Sequence, residues 1–166
     1  MANVYVDILE EIKARLDYGK ASGSLTDFKH VDFYGQVREN KPRNEMPQIV
    51  IEVLGNTETM DNNSNTPFKG DFSVILNVYV DLEDSRVDNM YYNTTTEKGA
   101  LYYYTYILDT LYTKSDGSGR DCRLNDTLKQ KMVSSIGEFR IEGRALIFGI
   151  RLDMMTKNFD FNGRNA

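Results

Sequence analysis

One histidine and one cysteine occur in the 166 residues, so neither can meet a second of its own kind within the chain. His30 falls in a predicted strand, with no Cys or Asp partner at a spacing that suits a metal site or a catalytic pair. It reads as a strand-edge histidine. Cys122 follows Arg120 and Asp121, and the arginine would mildly favour a thiolate, but no base lies nearby in sequence. A lone cysteine also excludes an internal disulfide and a cysteine-based zinc site. Asp81, Glu83, Asp84 and Asp88 are the best candidates for a hard cation, which wants several carboxylates. They lack the glycine and the regular spacing of a calcium loop, and read as a solvated acidic turn at the end of a strand. There is no Gly-x-x-x-x-Gly-Lys run to cradle a phosphate and no dinucleotide fingerprint. Gly117 and Gly119 lie in a connection that does not follow a strand. The residue types therefore predict no enzyme, no cofactor and no metal site.

The aromatic residues carry more information. Tyr102 and Tyr106 stand four apart on a predicted helix, opposite its leucines, and Tyr91 and Tyr92 precede that helix. Tyrosine is enriched where an apolar body meets a polar rim, so these four read either as a contact surface or as ordinary half-exposed tyrosines. Phe159 and Phe161 sit in a polar tail without a local core. Docking onto a neighbouring subunit and docking back on the chain's own sheet both explain them. Met60 and Phe68 join this set of candidate oligomer or partner contacts, toward the end of a long hairpin.

The elements that must position these residues are clear in places. From Asp71 to Leu82, Phe72, Val74, Leu76, Val78, Val80 and Leu82 alternate with Ser73, Ile75, Asn77, Tyr79 and Asp81. This period of two predicts a half-buried antiparallel strand, roughly 40 Å long, well beyond the usual five or six residues. Val4, Ile8, Ile12 and Leu16 form the stripe of an opening helix, which Gly19 and the stretch Ala21-Ser22-Gly23-Ser24 end. A strand over about Phe28 to Tyr34 turns Val31 and Phe33 one way. Another spans Gln48 to Leu54, and Gly55 to Lys69 reads as the long loop at the tip of a hairpin. Thr94 to Glu97 fits a capping box that opens a helix to about Tyr112, with Ala100, Leu101, Tyr104, Ile107, Leu108 and Leu111 inward. Leu124, Leu128 and Met132 fit a short helix or a strand lead-in. Ser135 to Ile141, a turn at Glu142-Gly143, and Ala145 to Met155 make a closing hairpin.

The order α-β-β-β-α-β-β implies an α+β fold: an antiparallel sheet, two helices packed on one face, and a long projecting hairpin. Residues 1–155 read as a single domain and 156–166 as an extended C-terminal tail. A chain of this length holds one real core. The formal charge of -5 argues against a protein that grips phosphates, which needs clustered Lys and Arg. No stretch approaches the roughly 20 apolar residues of a membrane span. Met1 to Asp7 lacks the basic start and apolar run of a signal peptide, so the expectation is a reducing cytoplasm.

Several segments together resemble the tail terminator and tail completion (head–tail connector, neck) proteins of tailed bacteriophages. They are the opening helix with its Ile8-Leu9-Glu10-Glu11-Ile12-Lys13-Ala14-Arg15-Leu16 run, the strand ending Phe33-Tyr34-Gly35-Gln36, and the strand Met46-Pro47-Gln48-Ile49-Val50-Ile51-Glu52-Val53. The long strand starting Gly70-Asp71-Phe72, an acidic connection, a helix ending Ile107-Leu108-Asp109-Thr110-Leu111, and the final hairpin complete the pattern. The likeness runs from about residue 4 to residue 155 and is one of architecture, without a diagnostic motif. The long loop and the aromatic tail depart from the family's pattern.

The resemblance implies a virion protein made in the bacterial host cytoplasm. It would form a homo-oligomeric ring, a hexamer or larger and as large as a dodecamer, at the head–tail junction or the end of the tail. Its neighbours would be portal-side connector proteins and tail proteins, with no membrane. DNA would pass through without specific binding. The alternative is a small α+β module that binds a ligand or a protein, with a pocket between helices and sheet and no catalysis. A hydrolase built on the acidic turn is the third expectation, and the weakest.

Overall fold

The alternating segment at the centre of the chain is the middle strand of a five-stranded sheet. A computed structural model describes residues 4–34, 45–60, 68–81, 91, 98–121, 124, 132–143 and 145–159. In chain order the elements are α1 (Val4–Ser22), β1 (His30–Phe33), β2 (Gln48–Met60), β3 (Phe68–Asp81), α2 (Ala100–Leu111), β4 (Val133–Glu142) and β5 (Ala145–Phe159). The strands lie in the order β1-β2-β3-β5-β4. The fold is α+β, as the sequence predicts.

One pairing departs from a purely antiparallel sheet: β1 runs parallel to β2, with Val31 opposite Ile49. The chain between Phe33 and Gln48 exceeds the dozen or so residues that a parallel crossover needs, so the connection permits it. The other pairings are antiparallel.

The alternation sorts the side chains as read. Phe72, Val74, Leu76, Val78 and Val80 of β3 are each at most 2% exposed. Leu146, Phe148, Ile150, Leu152 and Met154 of β5 are buried beside them, and Val4, Ile8, Ile12 and Leu16 of α1 cover them. The helix runs to Ser22, inside the stretch expected to end it. Gly19 lies within it, buried where α2 crosses α1. A Cβ there would lie 2.5 Å from Thr110 Cγ2.

The helix α2 starts later than expected: its first residue is Ala100, its N-cap is Gly99, and no side chain caps it; the expected capping box, Thr94 to Glu97, lies outside the described residues. The buried stripe is also turned. Ala100, Ile107 and Leu111 are buried as read, but Tyr103 and Thr110 join them, while Leu101 is 40% exposed. The cause is the second helix. Tyr103 meets Phe28 edge-on at 5.3 Å and Thr110 presses on Gly19, so α2 buries a side toward α1 as well as toward the sheet.

The hairpin is longer than read, and its loop shorter. The β2–β3 ladder continues through Thr57 opposite Asp71 to Met60 opposite Phe68, past a bulge at Leu54 that keeps the two strands in step. On the other side β5 follows β3 as far as Phe159 opposite Phe68, so the first residues of the expected tail are strand. Three strands thus run on together, and the 15 residues of β5 span about 50 Å. Helix cover ends near Phe72, where the Tyr5 ring packs at 5.0 Å. Beyond it Asn56, Thr57 and Asp71 are exposed.

Candidate functional site

Backbone pairing gathers three of the eight candidate contact residues. Met60 is opposite Phe68 and Phe68 is opposite Phe159, so the three share one row across the far end of the ribbon. Sequence distance hides this row, because β5 arrives from the other end of the chain. Tyr92 and Phe161 lie outside the described residues.

Tyr102 and Tyr106 are half-buried on α2 and pack on one another, ring centroids 4.6 Å apart. Tyr102 also meets Tyr103 edge-on at 5.3 Å, and Lys98 Nζ stands 5.4 Å above its ring. The same ammonium reaches Asp27 Oδ2 at 2.5 Å. Its hydrogen bond to Asp27 holds the Lys98 pKa above the usual lysine value, and desolvation raises that of Tyr102. This cluster ties the start of α2 to the chain after α1, so it serves the fold as well as offering a surface. Tyr91 is 50% exposed. Its ring meets Phe139 at 5.3 Å, and Phe139 stacks on Phe148 at 6.2 Å, an aromatic line from surface to core.

Of the residues weighed for chemistry, His30 is exposed at the start of β1, and Asp81 ends β3. Glu83, Asp84, Asp88 and Cys122 lie outside the described residues. Among the described residues no three His, Cys, Asp or Glu side chains converge on a point where a metal ion could sit. Among them, too, no helix is long and apolar enough to cross a membrane.

The sequence reading missed the second face of the sheet. Register sets out its rows: Val50, Asn77, Gly149 and Gly137; then Glu52, Ile75, Arg151 and Ser135; then Gly55, Ser73, Asp153 and Val133. A groove of about 360 Å³ opens over the first two rows. It shares Leu54 and Arg151 with a wider one of about 690 Å³ that reaches Met155. Asn77 Nδ2 donates to Glu52 Oε2 at 3.1 Å. Asp153 Oδ1 accepts from Ser73 Oγ at 2.5 Å and from Arg151 Nε at 3.0 Å. The Ser73 hydrogen bond is the largest influence holding the Asp153 carboxyl below its usual value. Glu138 has φ +58, the left-handed region that side chains with a Cβ seldom adopt. It sits in the bulge of β4, where Glu138 and Phe139 together oppose Phe148. The kink sends Phe139 to the core and leaves the Glu138 carboxylate over Gly149. Paired strand-interior glycines at 137 and 149 were the readable signal, since such glycines often mark close approach by another chain or a ligand.

No family model matches the chain, and no curated protein is similar enough to count as a relative.

Proposed function

We propose that this protein is a structural subunit that closes into a ring at the head–tail junction or tail end of a tailed bacteriophage. The observation that carries the reading is the three-stranded ribbon of β2, β3 and β5, which runs past the helix-covered core to Met60, Phe68 and Phe159. A two-helix domain has no need of strands this long for its own core. Extended past it, they offer backbone edges to a neighbour. Head-to-tail contacts of this sort close into rings when the rotation allows. The charge of -5 suits a channel past which DNA slides by mutual repulsion. Adjacent connector and tail proteins would stack above and below.

Light scattering at several concentrations, with negative-stain images of each peak, tests the reading. Closed rings with a central hole are the expected result. A monomer at every concentration removes the self-assembling ring and favours a binding module. The grooved second face is the observation that supports that second reading. Its groove lies opposite the helices, because the space between helices and sheet is filled by core side chains.

A further inference from the structure

We infer that the second face of the sheet, over Gly137 and Gly149, is a docking groove for an extended segment of a partner protein that carries arginine or lysine. The inference rests on that face alone and holds whether or not the chain forms a ring.

The floor of the groove is bare backbone at Gly137 and an apolar side chain over Gly149. Gly137 and Gly149 are register partners on neighbouring strands. A Cβ on Gly137 would meet nothing within 4 Å, whereas one on Gly149 would meet Ile75 Cδ1 at 2.8 Å. Backbone is therefore open to close approach at one glycine, and the other is roofed by an apolar side chain.

The walls set the chemistry of the occupant. Arg151 is engaged by Asp153, Nε lying 3.0 and 3.1 Å from its two carboxylate oxygens, so those charges offset each other. Glu52 takes only a neutral amide from Asn77 among its described contacts, and Glu138 is exposed, with its Oε2 3.7 Å from where a Cβ on Gly149 would lie. Two carboxylates are thus left facing one groove, which favours a cation and repels a phosphate chain. Leu54 and Val133, 47% and 63% exposed, line the continuation of the groove. They suit the aliphatic stems of lysine and arginine, which lie along apolar surface with the charge beyond it. The joined grooves run along the strands, which fits an extended peptide better than a single small cation. The two uncancelled carboxylates select a basic segment from a partner protein, with a second copy of this chain as the competing occupant.

Fluorescence anisotropy of the full chain tests this with two labelled nine-residue probes (both lengths chosen to span about 30 Å), one alternating Arg with Val and the other Glu with Val. The basic probe is expected to bind, more weakly as salt rises, and the acidic probe not to bind. Glu52→Gln and Glu138→Gln should each weaken binding about tenfold, the size of one charged contact. Gly137→Val should abolish it by filling the floor, with the melting temperature checked alongside. If Gly137→Val does not fold, Glu138→Gly reads the same groove, since it keeps the backbone turn and removes the carboxylate. Equal binding of both probes, or indifference to all of these substitutions, overturns the inference. Probe binding that falls as the chain's own concentration rises, with self-association lost in Glu138→Gln, seats a second copy there and overturns the foreign partner.

Discussion

Gly19 of α1 and Thr110 of α2 meet so closely that the smallest side chain would not fit between them. A Cβ at position 19 would lie 2.5 Å from Thr110 Cγ2 and 3.0 Å from its Oγ1. The Thr110 hydroxyl is held where it is, donating to the Tyr106 carbonyl at 2.8 Å and lying 3.4 Å from Ser24 Oγ. The crossing of the two helices, and with it the side of α2 that is buried, is set at this point.

Gly19→Ala opposes two effects. In an isolated helix the change would gain about 1 kcal/mol. Here overpacking should win, with a net loss of about 1–3 kcal/mol, read as a lower urea midpoint. Thr110→Ala in the same chain should recover part of that loss. If the double variant is no more stable than Gly19→Ala, the contact does not set the crossing.

Arg15 should be among the costliest polar residues to remove. It is 3% exposed, donates to the Leu111 carbonyl at 2.8 Å and to Asp121 O, and its Nε meets Glu11 Oε1 at 2.7 Å. It thereby serves the carboxyl end of α2, where a cation is favoured. Arg15→Met should cost about 2–3 kcal/mol. Arg15→Lys should not restore it, because one ammonium cannot span a fork of acceptors. Urea unfolding of both variants is the check, and a full rescue by lysine would count against the forked geometry.

Asp153 gives a pH dependence with a definite sign. Its carboxyl is held below the usual 3.8, first by the Ser73 hydrogen bond and then by Arg151, against desolvation. A depressed folded pKa contributes stability above the unfolded value and loses it as pH falls through the folded one. Asp153→Asn should therefore be less stable than the parent above about pH 4, and the gap should close below it. Denaturation midpoints across that range measure it; a gap that widens on acidification would have the wrong sign.

Glu138 occupies a left-handed backbone position, φ +58. A β-branched residue fits there worst, so Glu138→Ile should lose about 1–2 kcal/mol. Glu138→Gly and Glu138→Asn should not, because both residues accept that conformation. Thermal melts of the three variants decide the point. Equal losses in all three would mean that the carboxylate, and not the backbone, matters for stability.

The chain's alternating and helical periods were enough to read β3, β5 and the buried stripe of α1, because burial on one face leaves its period in the sequence. Three features were not legible for one shared reason. The parallel partner of β1, the turned stripe of α2, and the burial of Arg15 each depend on what a distant segment brings. Thr110 reaching Gly19 turns the helix, and the Leu111 carbonyl receives the arginine. Asn56 and Thr57 carry no period at all, yet they are ladder residues. The backbone bonds that extend β2 and β3 are indifferent to side-chain type. For the candidate site, the aromatic residues were visible as types. The row of Met60, Phe68 and Phe159 was not, since it joins positions about a hundred residues apart by register.

By itself the sequence determined the α+β class, the order of elements and the core side chains of the central strand, all consequences of local period and polarity. Only the tertiary structure decided that the ribbon has three strands and that a second face is grooved. Register between β4 and β5 sets Gly137 beside Gly149, and the bulge at Glu138 leaves a carboxylate near Gly149. Hydrogen bonds between distant strands decide which side chains become neighbours, and no local pattern encodes that choice.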